Sequence, residues 1–208
     1  MSKIIKNALI LMGITLVSGL LLGVVYEVTK EPIQAQSAKA EQEAYQRVFP
    51  DAGELEPLYE SKEMLEQEAA KTLESAGLAA ETIEDAYRVL GDGGEVLGMV
   101  MKITTSEGYG GDINFSMGIR KDGTVNGISI LSISETAGLG MKAAEESFYG
   151  QFAGKQADSF SYTKDGASEE NEIDAISGAT VTTNAITNGV NAGICFFQFA
   201  QEGGMLDE

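Results

Sequence analysis

AYRVLGDGGEVLGMVMKI, residues 86–103, sets two apolar, β-prone runs on either side of Gly91-Asp92-Gly93-Gly94. Glycine and aspartate in tandem favour the tight, positive-φ turns that join antiparallel strands, so the stretch predicts a β-hairpin. Just downstream, Ile113, Phe115, Met117 and Ile119 alternate with Asn114, Ser116 and Gly118. That alternation puts the large apolar residues on one sheet face. Lys121-Asp122-Gly123 then turns the chain into TVNGISILSI, residues 124–133, and a second hairpin is predicted beside the first.

Helical patterns follow the hairpins. Met141 to Phe152 reads as a short amphipathic helix, and FSYTKDG, residues 160–166, as a further short strand or turn. Between Val181 and Phe199, the apolar Ala185, Ile186, Val190, Ile194 and Phe197 recur at helical spacing and offer one face to the sheet. An antiparallel sheet with flanking helices makes residues 85–200 an α+β domain, followed by a short tail at 201–208. Upstream, residues 51–84 are acidic and helix-prone, with weak periodicity in Leu65, Leu73 and Leu78. They predict a loop and surface helices. EPIQAQSAKAEQEAYQRVFP, residues 31–50, has Pro32 near a helix start and Pro50 at its stop, so residues 27–50 read as a stalk helix.

No residue from Asn7 to Tyr26 is charged, and about 20 apolar residues span a bilayer as helix. Val24-Val25-Tyr26-Glu27 offers no small-residue cleavage pattern, so an uncleaved, single-pass anchor is expected at 7–26. Gly13, Ser18, Gly19 and Gly23 would let another helix approach closely, or are ordinary for a membrane helix. Lys3 and Lys6 precede the span, whereas Glu27 and Glu31 flank Lys30 after it. The positive-inside bias therefore predicts residues 1–6 in the cytoplasm and the domain outside.

Composition narrows the chemistry. The net charge of −18 is carried beyond residue 30, where 31 acids face 11 bases. Such a surface repels nucleic acid, which is not expected as a partner, and meets lipid only through the N-terminal helix. With no histidine and one cysteine, Cys195, the chain cannot by itself ligate an iron–sulfur cluster or build a usual zinc site. Cys195 reads as a small buried hydrophobe on the last helix. With imidazole absent, proton or electron chemistry falls to carboxylates, hydroxyls, backbone groups or a borrowed cofactor, and for a redox protein the cofactor is the main suspect.

The stretch DAISGATVTTNAI, residues 174–186, joins an extended run to that helix. Gly178 permits a sharp turn, and Thr180, Thr182 and Thr183 offer hydroxyls at the helix start. On local physics this is either a capped helix or an anion site, because free amides and the helix dipole both favour a phosphate there.

The pattern Asp174-x-x-Ser177-Gly178-Ala179-Thr180 resembles the D-x-x-[ST]-G-A-[ST] flavinylation motif of the FMN-binding domain in Rnf and Na⁺-translocating NADH:quinone oxidoreductase complexes. GYGGDI at 108–113, ETAGLG at 135–140 and RVFPDA at 47–52 are similar to further segments of that family. Their order and spacing resemble the G subunit of Rnf more than the longer C subunit of the quinone reductase. Ala137 departs from the family, which often has proline there.

The resemblance implies FMN attached covalently to Thr180 by a phosphoester, installed by a Mg²⁺-dependent flavin transferase with FAD as donor. It also implies a pocket made by Tyr109, Gly110, Gly111, Glu135, Thr136, Gly138, Leu139 and Gly140, with Ser177, Gly178 and Ala179 forming the attachment loop. The glycines would let backbone approach the ring, Leu139 and Met141 would pack on it, and Glu135 and Thr136 would bond its polar edges. Asp174 either helps hold Mg²⁺ or donor phosphate during attachment, or caps a turn. No residue is assigned a catalytic role. The implied function is an electron relay in a complex that couples ferredoxin oxidation and NAD⁺ reduction to Na⁺ or H⁺ transport, beside the integral A, E and D subunits. The alternatives are the quinone-reductase C subunit, another flavinylated extracytoplasmic carrier, or a tethered binding module in which residues 177–180 merely cap a helix.

Overall fold

A computed structural model describes residues 2–207. In order, they form α1 (Ser2–Val48), β1 (Glu54–Pro57), α2 (Lys62–Ser75), β2 (Glu81–Leu90), β3 (Val96–Thr105), β4 (Ile113–Arg120), β5 (Thr124–Ser132), α3 (Glu146–Tyr149), β6 (Lys155–Gln156), β7 (Ser161–Thr163), β8 (Glu172–Asp174) and α4 (Thr180–Glu202). The chain divides into two units, one ending at Ala40 and one spanning Glu41–Glu208.

In the first unit, the large apolar side chains from Ile4 to Ile33 are each more than half exposed. Among the described residues, α1 is the one helix long and apolar enough to cross a membrane. Pro32 lies inside α1 rather than at the start of a separate stalk helix. An interior proline removes one ladder hydrogen bond and crowds the carbonyl four residues back, and the helix continues past it on the bonds of the residues to either side.

In the second unit, the two hairpins form as predicted, β2 with β3 and β4 with β5, in a six-stranded antiparallel sheet of order β1-β2-β3-β4-β5-β6. Ile113, Phe115, Met117 and Ile119 are all buried on one face. Each such side chain contributes roughly 1.5–3 kcal/mol by leaving water. They meet Ala185, Ile186, Val190 and Ile194 of α4 in the main core. The helix sits low on the sheet: a Cβ at Gly189 would lie 2.9 Å from the Phe115 ring, and one at Gly193 would lie 2.5 Å from Met117 Sδ. On the opposite face, Tyr45, Val48 and Phe49 form a smaller core with Val89 and Val100. Beside it, Lys102 pairs with Glu41 at 3.3 Å and Glu84 at 3.0 Å.

Several local expectations change. The acidic segment 51–84 is not a surface annex: β1 pairs with β2, and α2, capped by Ser61, buries Leu65, Ala69 and Leu73. The second unit therefore begins at Glu41 instead of residue 85. Residues 140–152 form two 3-10 turns around the single turn of α3, in place of one helix. β7 pairs in parallel with β8, a contact too short and too distant in sequence to leave a periodic signal. The expected tail folds back, with Leu206 buried. Cys195 is half-buried, and burial raises its thiol pKa.

Candidate functional site: a cavity at the start of the last helix

Thr180 is the first residue of α4. Gly178 reaches it through φ +78°, a left-handed conformation that L side chains rarely adopt. Ala179 occupies the N-cap position with φ −135° and ψ 50°, and no side chain caps the helix. The first amides of a helix have no intrahelical acceptor, so this N-terminus presents unfilled N–H donors. No acidic residue lies in its first turn to repel an anion.

The neighbouring threonines differ in what they do. Thr183 is fully buried, accepts the Ile176 N–H at 3.0 Å and donates to the Ala179 carbonyl at 3.0 Å. It ties the Gly178 turn to the helix. Thr180 has no hydrogen-bond partner for its hydroxyl among the described residues and is only half-buried. Exchanging Thr183 for valine keeps the side-chain shape but strands the Ile176 amide, which should cost about 1–3 kcal/mol. Urea melts should detect that loss.

The turn faces a cavity of about 620 Å³ lined by Tyr109, Glu135, Thr136, Leu139, Gly140, Gly178, Ala179, Thr180, Val181 and Thr182. Three segments distant in sequence thus meet around one hydroxyl. Beyond α1, the exposed large apolar side chains are Met64, Tyr109 at 76%, Leu139 at 42% and Val181 at 50%, and the last three rim this cavity. An apolar rim beside open helix amides suits a planar ring carrying a phosphate, and the volume lies within the range of about 300–1,000 Å³ usual for ligand sites. The residues fit an FMN.

Other expected site residues serve the frame. Glu135 Oε1 accepts the Tyr109 amide at 2.8 Å and the Gly110 amide at 3.3 Å, so it braces one loop against the other. A Cβ at Gly140 would lie 2.6 Å from Thr182 Oγ1 and 2.7 Å from Glu135 Oε2, so this glycine admits the protein's own side chains. Gly110 is likewise packed against the Ser134 carbonyl, while Gly111 and Gly138 have space but positive φ. None of Gly110, Gly111, Gly138, Met141 or Ser177 lines the cavity. Asp174 also lies outside its lining, with Oδ1 accepting the Ala167 N–H at 2.6 Å and its own N–H donating to Gln151 Oε1 at 2.6 Å. This supports its turn-bracing reading.

Sequence reasoning missed Val181 and Thr182 as lining residues, and it missed Glu107. Glu107 Oε2 accepts Asn188 Nδ2 at 2.6 Å and Asn184 Nδ2 at 3.4 Å. Close by, Glu81 is 4% exposed. Its Oε1 accepts the Thr105 hydroxyl at 3.2 Å, and its Oε2 has no partner. Burial pushes its pKa up to about 8, opposed by the Thr105 bond and reinforced by the Glu107 charge.

The FMN-binding domain family matches residues 108–194, from the start of the Tyr109 loop into α4. The RnfG N-terminal region matches residues 1–48. The G subunit of the Na⁺-translocating ferredoxin:NAD⁺ oxidoreductase complex of Acetobacterium woodii is 33% identical over 201 residues, 94% of this chain and 92% of that protein. The chain belongs to the family of Rnf G subunits. The G subunit of the ion-translocating oxidoreductase complex of Methanosarcina acetivorans is 28% identical over 97% of each chain. The G subunit of the proton-translocating ferredoxin:NAD⁺ oxidoreductase complex of Clostridium ljungdahlii is 44% identical over 89 residues, 43% of this chain and 48% of that protein. The crystal structure of NqrC from Shewanella oneidensis overlaps with a TM-score of 0.48 at 21% identity, over 58% of this chain and 62% of that one. In this Rnf protein, the matched FMN-binding domain contains all three segments that line the cavity.

Proposed function

We propose that this chain carries FMN as a phosphoester on Thr180 and relays electrons through it, as a subunit of the ion-translocating ferredoxin:NAD⁺ oxidoreductase complex. The observation that carries this reading is the Thr180 hydroxyl, which begins an uncapped helix, has no protein partner among the described residues, and opens into the apolar-rimmed cavity. FMN, when bound, supplies one- and two-electron transfer.

The chain's own groups hold and shield that cofactor. The open amides of α4 take the phosphate in place of a capping side chain. Thr183 holds the loop on which Thr180 stands, and Tyr109, Leu139 and Val181 give the ring an apolar seat. Glu135 keeps the two loops of the cavity in register. A site with one flavin seat suits an intermediate carrier.

The finer placement follows from charge and family. Lys3 and Lys6 before the apolar run favour a cytoplasmic N-terminus, a single span and a domain outside the membrane. Electrons would arrive from an iron–sulfur centre held by the A and E subunits and pass to the D subunit. A separate flavin transferase would load Thr180.

The test is co-expression of the full chain with a flavin transferase, followed by denaturing electrophoresis and in-gel fluorescence. A fluorescent band at the size of the chain supports the attachment. A dark band overturns it.

A further inference from the structure

Thr180, Asn184 and Asn188 recur every four residues on α4 and therefore share one stripe, with successive members about 6 Å apart along the axis. Thr180 opens to the cavity, whereas the two asparagines both donate to one oxygen of Glu107. Glu107 directly precedes Gly108-Tyr109-Gly110, so its clamp fixes where the Tyr109 loop leaves the sheet. From the far side, Glu135 holds the amides of Tyr109 and Gly110. Two carboxylates thus suspend this loop between α4 and the segment after β5.

We propose that Glu107 is a positioning residue for the flavin site: its clamp on Asn184 and Asn188 sets the gap between the Tyr109 loop and the first turn of α4, and its fixed negative charge lowers the potential of a flavin held there. This rests on attachment at Thr180. The charge argument follows from the partners. Both groups bound to Glu107 are neutral amides, so they orient the carboxylate without cancelling it. The group is half-buried, where water screens a charge less than at an open surface. Reduction adds negative charge to a flavin, and a carboxylate about one or two helical turns from the attachment residue opposes it.

The full chain, co-expressed with a flavin transferase and purified in detergent, permits the test by spectroelectrochemical titration and iodide quenching of flavin fluorescence. Glu107→Gln can keep an amide oxygen where both asparagines donate, so it removes the charge while retaining the acceptor. Its flavin midpoint potential should move upward and its quenching by iodide should increase. Asn188→Asp places a second carboxylate beside the first; two carboxylates this close share one proton near neutrality, so its potential should fall below that of the wild type as the pH is raised and the second charge appears. The opposite signs separate positioning from general loss of stability, which would lower the melting temperature without ordering the potentials by charge. If Glu107→Gln does not fold, the direction measured for Asn188→Asp decides alone. A fluorescent wild-type band with potentials unmoved in the variants overturns the role of Glu107. A dark wild-type band instead overturns the attachment on which it rests.

Discussion

Thr180→Ala should give a folded chain, in wild-type yield, that is dark in a denaturing gel under conditions where the wild type fluoresces. The loss should be complete because the ester oxygen itself is removed, and no neighbouring hydroxyl is equivalent. Thr183 is held in two hydrogen bonds, and Thr182 is 1% exposed. The stability of the unflavinylated variant should change by no more than about 0.5 kcal/mol, with alanine's helix propensity acting in its favour. Were Thr180 a cap, its loss would cost about 1 kcal/mol. The pair of measurements therefore separates the two readings that the sequence left open. Fluorescence that survives in Thr180→Ala and vanishes in Thr182→Ala would move the attachment to Thr182.

Glu81→Gln should make the domain more stable at neutral and alkaline pH while leaving it nearly unchanged in acid. The Glu81 carboxyl sits almost wholly out of water, with one oxygen unpartnered, and its pKa rises from the ordinary 4.5 to about 8. Below about pH 4.5 both folded and unfolded chains carry the proton, and the group is neutral in either state. Between that pH and about 8, the unfolded chain releases the proton while the folded chain keeps it. Stability contributed by the protonated group is lost across this window and does not return above it. One pK unit corresponds to about 1.36 kcal/mol, so the loss reaches about 3 kcal/mol at neutral pH. Glutamine stays neutral throughout. Urea melts from pH 4 to 9 should show a stability difference between variant and wild type that grows with pH up to about 8; a difference that is flat with pH would show that Glu81 does not retain its proton on folding.

Much of the architecture was legible because its signals are local. The Gly91-Asp92-Gly93-Gly94 turn and the alternation from Ile113 to Ile119 specify their hairpins within a few residues. β1, β6 and β8 were not, and of β7 only a short strand or turn at 160–166 could be read without its parallel partner, since strands of two to four residues acquire meaning only from distant partners. The buried face of α2 was obscured because Leu65, Ala69 and Leu73 are interleaved with Glu63, Glu66, Glu68 and Glu74. At the site, the three glycine-bearing segments could be recognised, and the structure brings them together around Thr180. Which groups face the cavity was not readable. Gly110 and Gly140 make room for protein atoms, and Glu135 serves the loop; each outcome depends on packing between segments. One signal lay in plain spacing: polar Thr180, Asn184 and Asn188 form a stripe on a helix otherwise rich in apolar residues.

The close seating of α4 on the sheet has a consequence for how far electrons must travel. Gly189 and Gly193 leave no layer of side chain between the helix and Phe115 or Met117. Thr180 therefore stands on a beam bolted to the domain, with no hinge of its own beyond the bonds of its side chain. Any shortening of the gap to an electron donor or acceptor must come from displacement of the whole domain, a collective motion of microseconds to milliseconds.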